Sequence, residues 1–478
     1  MIFTDYAGFK ASGFKPKVCI IGSGPSGITL ALQLEKKKIP CLIIEAGGFE
    51  YSPEVQDAYR GKVIGDKYFE LDIARLRYFG GTSNHWAGWC RPLDEIDFEA
   101  RASIKNSGWP IRKKDLDPYQ RATESILEIN QFPADRLLTK DISEIHFEFS
   151  PPVRFGPKYH KHIEDSSHIA LLINSPVKDI APAGNRISHV NVYAKTGAEQ
   201  KVSADYFCLC TGGIENSRIL LWSNQVHNGG VVPEGQALGK YWMEHPVYFV
   251  GDTVLYSFTK MRVKGGMRYY APTADFLRKH DIGNFGMRLT TGEKLVKTLI
   301  KDGLCIAPKF FTTLAQKMDS GLVCNAELKL AWEQIPSSAN RIELSDEKDA
   351  LGIPRLNLHL KKQPQDRHSV EAATKLFGSF LSKQDIGRVK MLGWLANGQN
   401  YPEDDERWSY HHMGGTRMAA TSAEGVVDAN CKVFGVENLY IGGSSVFATS
   451  GHCNPTFTVV QLALRLGDHL AQKVAKAG

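Results

Sequence analysis

Apolar residues in this chain come in short runs punctuated by glycine, and the first clear one is Lys17–Ile21 (KVCII), the pattern of a buried strand. It passes straight into Gly22-Ser-Gly-Pro-Ser-Gly27; a helical pattern follows from Ile28 to Lys37, and a second apolar strand, Cys41–Ile44, ends in Glu45. Strand, glycine turn, helix and strand in close succession predict a βαβ unit. Residues 118–128 predict a helix on a polar background. From 168 to 211 the pattern turns to short strands, closing with Tyr206-Phe-Cys-Leu-Cys-Thr-Gly-Gly213. Between 240 and 400, alternating segments such as Val247–Val254 and Leu356–Leu360 predict a largely antiparallel sheet. The last stretch predicts a strand (Leu439–Ile441), a Gly/Ser loop and an amphipathic helix from Phe457 onward.

The βαβ unit carries the first candidate chemistry. Gly22 allows a tight turn, Gly24 lets backbone approach a pyrophosphate, and Gly27 lets helix and strand pack closely. Pro25 and Ser26 open the helix, whose free N–H groups and dipole favour a phosphate there. Glu45 is placed to accept from a ribose hydroxyl, and its charge repels a 2′-phosphate, which argues against NADP. This unit alone does not choose between NAD and FAD.

Composition narrows the class. A chain of 478 residues suggests two packed domains, and 42% hydrophobic residues supply ample core. The net charge of +6 accompanies no nucleic-acid motif, so a nucleic-acid partner is not expected. The nine cysteines are scattered; Cys208 and Cys210 share one strand face, which implies neither a metal site nor a disulfide framework. Met1–Lys17 lacks the apolar core of a signal peptide, and no apolar run is long enough to span a bilayer. A cytoplasmic, reducing setting is expected.

Further motifs carry a family resemblance. Tyr78-Phe-Gly-Gly-Thr-Ser-Asn-His-Trp-Ala-Gly88 resembles the second flavin loop of glucose–methanol–choline oxidoreductases, and Thr211-Gly-Gly-Ile-Glu-Asn-Ser-Arg218 their strand returning to FAD. Gly239-Lys-Tyr-Trp-Met-Glu-His-Pro246 resembles their entry to the substrate domain. His411-His-Met-Gly-Gly-Thr-Arg-Met418, Val427-Asp428, Asn438-Leu-Tyr-Ile-Gly-Gly-Ser-Ser445 and Asn454-Pro-Thr456 resemble their catalytic region. These motifs run in family order over nearly the whole chain, and among family members they are most similar to bacterial sugar and polyol oxidoreductases and to pyranose oxidase.

The resemblance implies an α/β fold, α+β overall: a Rossmann-like FAD-binding domain and an antiparallel-sheet substrate domain roofing the flavin. It places the FAD domain at 14–105, 165–240 and 405–478 and the substrate domain at 106–164 and 241–404. It implies FAD as cofactor, with Gly80, Gly81, Thr82, Asn84, His85, Trp86, Ala87, Val177, Thr211, Gly212, Gly443, Ser444, Asn454 and Thr456 joining the first loop around it. Whether His85 bonds covalently to the flavin is left open: asparagine stands at 84 where relatives with the bond carry threonine.

The implied reaction is oxidation of an alcohol, with a sugar, glycoside or polyol as substrate and oxygen or another acceptor as electron partner. The flavin takes the hydride while the protein supplies a base and orientation. The resemblance makes His412 the base and Asn454, 42 residues on, the partner holding the substrate oxygen. Neighbouring side chains of an extended segment point opposite ways, so His411 is the rival, a packed or substrate-facing imidazole. His452 stands where relatives carry a small residue and is a candidate cavity residue. Two alternatives stay open: a non-oxidising family member such as a lyase, and the flavin subunit of a membrane-associated dehydrogenase. The second rests on residues 254–310, which alone carry +7 and include the basic amphipathic stretch Lys294–Lys301.

Overall fold

The computed structural model describes all residues except 103, 195–196, 256–266, 292–306, 308–323, 404–408 and 478. The stretch Lys294–Lys301 lies outside the described residues.

A parallel sheet of six strands forms the first layer, in the order Ile2–Phe3, Ile169–Leu172, Cys41–Ile44, Val18–Ile21, Tyr206–Leu209 and Leu439–Ile441. Both faces of its centre are covered, so Val18–Ile21 and Cys41–Ile44 read as unbroken apolar runs buried throughout. The helix Pro25–Lys36 follows the first glycine turn and packs against the C-terminal helix Thr456–Ala477. That crossing is tight: a Cβ on Gly467 would come within 2.6 Å of the Gln33 side chain.

The second layer is a seven-stranded sheet, ordered Gly387–Met391, Val247–Leu255, Cys324–Trp332, Phe285–Thr291, Met267–Pro272, Ile142–Ile145 and Arg136–Thr139, antiparallel at every pairing. Its register sorts side chains by parity. Leu328, Leu330 and Trp332 are buried with Phe377 and Leu381 of the helix Pro364–Lys383, while Lys329 and Ala331 face a cavity shared with the first layer.

Several elements differ from expectation. The helix of the βαβ unit starts at Pro25, not Ile28, because Gly24 caps it and proline is already suited to its first turn. Pro364–Lys383 is a 20-residue helix inside the stretch read as sheet; Val370, Ala373, Phe377, Phe380 and Leu381 carry its helical period. Leu356–Leu360 pairs with Arg341–Lys348 and, in parallel, with Gly61–Gly65, outside the large sheet. A strand from the expected FAD segment 14–105 therefore shares a sheet with strands from the expected substrate segment 241–404. Ile2–Phe3 extends the parallel sheet from before residue 14. Ile169–Leu172 lies in the parallel sheet, whereas Val177–Ala183, which carries the cofactor candidate Val177, begins a separate three-stranded sheet. Among the described residues, no helix is long and apolar enough to cross a membrane.

Candidate active site

A cavity of about 690 Å³ lies between the two layers, within the range of cofactor and ligand sites. One wall comes from the ends of the parallel strands. Gly22 sits at φ +103°, where a Cβ would strike the Cys210 carbonyl at 2.6 Å, so the turn closes only with glycine. At Gly24 a Cβ would meet nothing within 4 Å, because this backbone borders the cavity. Gly24 caps the helix without a side-chain hydrogen bond, which leaves first-turn N–H groups for an anion. Gly27 does not line the cavity; its Cβ would lie 2.0 Å from the Gly22 carbonyl, so it serves packing alone.

Glu45 lines the same wall, and its carboxylate accepts from the Ser23 amide (3.1 Å), the Ser23 hydroxyl (2.5 Å) and the Gly47 amide (3.1 Å). Pro25, Ser26, Val177, Thr211, Gly212, Gly443, Ser444 and Thr456 complete it. From the second loop, Gly81, Thr82, His85, Trp86 and Ala87 reach the cavity, whereas Gly80 and Asn84 do not. Asn84 turns inward and donates to the Phe79 carbonyl (2.9 Å), and Gly80 backs onto Gly156. These two shape the loop. His85 faces the cavity, and partial burial together with the Arg154 guanidinium lowers its pKa, favouring the neutral ring.

The expected pair of His412 and Asn454 is not what the geometry brings together. The Asn454 amide lies 3.0 Å from His411 Nε2. His412 turns its ring toward Tyr68 and Trp242. It is 8% exposed, and its Nε2 has no hydrogen-bond partner among the described residues. Burial, then Arg75 and His85, push its pKa down to about 3. The backbone dictates this choice: Tyr410 has φ +62° and Gly414 φ +76°, and the Met413 amide and carbonyl pair with Met243. Between those fixed points the two imidazoles point opposite ways.

His245, which the sequence reading did not single out, stands behind His411. Its Nε2 lies 2.9 Å from the Ser450 carbonyl, which can only accept, so this nitrogen carries the proton. Burial lowers the His245 pKa to about 4, leaving the ring neutral and its Nδ1 an acceptor. His411 Nδ1, 3.1 Å away, therefore donates to it. That fixes His411 in the tautomer whose Nε2 lone pair faces Asn454 and the cavity. Burial and the neighbouring His245 and His412 hold His411 well below the usual histidine range. Glu244 accepts from the backbone N–H of both His245 (2.8 Å) and His411 (2.7 Å), locking the two chain segments together.

His452 also lines the cavity, its Nε2 3.2 Å from Asp94. It packs onto the sheet so closely that a Cβ on Gly286 would meet its Nδ1 at 2.6 Å. Trp89, Tyr269, Arg288 and Lys329 line the opposite wall. None was foreseen, although a charged residue between apolar ones, as in Leu328-Lys329-Leu330, signals a strand with one polar face.

The residues present fit FAD: a helix N-terminus for the pyrophosphate, an acid at the second strand end for the ribose, and an unpaired, buried His412 Nε2 on the cavity wall. A site built this way suits an FAD-dependent oxidoreductase. Residues 336–463 match the family model described as GMC oxidoreductase. The 2-methyl-1,2-propanediol dehydrogenase of Mycolicibacterium austroafricanum is 22% identical over 95% of both chains. The fructose dehydrogenase large subunit of Gluconobacter japonicus is 24% identical over 60% of this chain and 51% of its own length. A C-glycoside 3-oxidase of Microbacterium trichothecenolyticum is 28% identical over 32% of this chain and 27% of its own. Pyridoxine 4-oxidase from Mesorbium loti shares the fold, with a TM-score of 0.60 at 15% identity over 95% of this chain and 99% of its own. Over residues 336–463 the chain is thus similar to glucose–methanol–choline (GMC) oxidoreductases, the class its motifs resemble.

Proposed function

We propose that the protein oxidises a hydroxyl of a sugar, glycoside or polyol, with His411 as the general base and Asn454 holding the substrate oxygen. The observation carrying this reading is the contact between His411 Nε2 and the Asn454 amide, 3.0 Å apart on the cavity wall. When bound, FAD supplies the acceptor for the carbinol hydride. His411 takes the hydroxyl proton on Nε2, the nitrogen its hydrogen bond to His245 leaves free. Asn454 trades its bond to His411 for one to the substrate oxygen. His412, buried against Trp242 with its backbone carbonyl held by Ser444 (2.6 Å), keeps the cavity wall in place.

The substrate class is supported by the relatives, whose names specify a diol, fructose and a C-glycoside. The electron acceptor, oxygen or another, completes the cycle, and peroxide release distinguishes the two. A cytoplasmic setting is part of the proposal; Cys19, Cys41, Cys90, Cys208, Cys210, Cys431 and Cys453, free and buried, support a reducing compartment.

Anaerobic flavin reduction tests the base. His411→Ala should retain FAD and slow reduction by polyols about 10²–10⁴-fold, the usual contribution of a positioned base. If His412→Ala has that effect and His411→Ala does not, the assignment belongs to His412.

A further inference from the structure

Three aromatic rings stand together on the sheet wall of the cavity, and the fold brings them there from three parts of the chain. Tyr269 pairs with Ile145 in the large sheet, and Phe147 follows Ile145 two residues on. The short strand Trp89–Cys90 pairs with Glu148–Phe149, which sets Trp89 beside them. Ring centroids lie 4.9 Å apart for Phe147 and Tyr269, 5.5 Å for Trp89 and Tyr269, and 5.8 Å for Trp89 and Phe147. Arg288 lies over the Trp89 ring, 5.2 Å from its centroid.

These rings are not core. All three line the cavity and are half-buried, and none belongs to the hydrophobic clusters that fill the two layers. Their planes stand at 53°, 85° and 60° to one another, so they form a concave corner rather than a flat platform. A flat aromatic ring fits such a corner because it can offer one neighbour its face and another its edge. A sugar ring stacks through its C–H face and suits a single open ring face instead.

Register fixes how far the corner lies from the reacting pair. Strand pairing sets Val247, Ala331 and Gly286 abreast, and Gly286 lies directly against His452, two residues before Asn454. Two residues along the strand from Gly286, a step of about 7 Å, Arg288 pairs with Tyr269. Small side chains thus floor the cavity next to Asn454, and the aromatic corner begins one sheet row further on.

We propose that the substrate is a glycoside with an aromatic aglycone: the sugar lies over Val247, Ala331 and Gly286, and the aglycone enters the corner formed by Trp89, Phe147 and Tyr269. This inference rests on the polyol reading above and narrows it to one class of glycoside. An apolar ring seated there removes its own surface and that of the half-buried rings from water, and offset and edge-on contacts add to the gain. The corner sets affinity and choice of substrate, while His411 and Asn454 act on the sugar hydroxyl.

The test uses holoenzyme and anaerobic flavin reduction with methyl, cyclohexyl and phenyl glycosides of glucose, galactose and xylose in both anomers, together with the free sugars, maltose and cellobiose. A phenyl glycoside should exceed its methyl counterpart tenfold or more in second-order rate, through a lower half-saturating concentration, with the cyclohexyl compound between them. Trp89→Leu and Phe147→Leu should each cut the phenyl-to-methyl ratio about 3- to 10-fold, the worth of one aromatic contact, with FAD content unchanged. Trp89→Phe should keep more of the ratio than Trp89→Leu, and Phe147→Leu decides the matter if Trp89→Leu does not fold. Phenyl glycosides no better than methyl ones, disaccharides that match the phenyl glycosides, an intact ratio in both Leu variants, or loss of FAD from both would each overturn the inference while leaving the polyol reading standing. If no sugar, polyol or glycoside reduces the flavin while simple alcohols do, the polyol reading fails and this inference with it.

Discussion

Replacing His245 by phenylalanine isolates the device that sets the base. The substitution keeps a ring of similar volume in a buried place but removes the nitrogen that accepts from His411 Nδ1 at 3.1 Å. The donor is then left without its partner, or His411 moves its proton to Nε2 and loses the lone pair that faces Asn454. A buried hydrogen bond left unmade is worth about 1–3 kcal/mol, which is about 5- to 150-fold in the tautomer ratio. The rate of flavin reduction at saturating substrate should fall by that order, with FAD retained and substrate affinity little changed. His245→Gln, whose amide oxygen can accept from Nδ1–H, should recover much of the loss. A second readout separates positioning from general damage. His245 is one of the neighbours that depress the His411 pKa. Without it, the group titrating in the reduction rate should move upward. A His245→Phe enzyme that keeps its FAD and reduces at the wild-type rate would refute the relay from Ser450 through His245 to His411.

Two further outcomes follow from the same groups. His245 and His412 have folded pKa values of about 4 and 3, and that of His411 is also lowered, so between pH 6.5 and about 4 the unfolded chain binds these protons and the folded chain does not. Buried Asp366, raised to about 7, and Asp97, also raised, act in the opposite sense across that window, two groups against three. Urea midpoints of the apoprotein should therefore fall as pH drops from 6.5 to 4; a midpoint that rises would show the carboxyls prevailing. For His85, a neutral ring on the cavity wall with no hydrogen bond from its side chain among the described residues, we expect attachment to the flavin. Acid precipitation should leave yellow pellet and a His85 peptide heavier by one FAD, and colour released wholly into the supernatant would show a packing role alone.

The parts of the fold legible in the sequence were those with two local signals in agreement. Lys17–Ile21, the glycine turn, Cys41–Ile44 and Glu45 supply a strand pattern, a backbone requirement and a charge, and each stands where the spacing placed it. The helix Pro364–Lys383 carried an equally clear period but lay among alternating strands whose pattern was extended over it. Leu356–Leu360 reads as a half-buried strand and is one; its parallel partner, Gly61–Gly65, lies almost three hundred positions earlier, where no local rule reaches.

The site divides along the same line. Glycine turns announce themselves because few residues tolerate their backbone. Asn84, by contrast, shares a loop with cavity residues and yet turns to a carbonyl, since one rotation of a side chain separates the two fates. The two histidines pose the hardest case. Sequence adjacency guarantees that one faces the cavity partner and the other does not, but it gives the parity no origin. The origin is tertiary: the pairing of Met413 with Met243, the positive φ at Tyr410, and Glu244 holding the His411 amide. Those same contacts bring His245 to the back of His411. The segment that decides which imidazole meets Asn454 thus also decides which nitrogen of that imidazole is free, so a change at Glu244 or His245 should disturb orientation and protonation together.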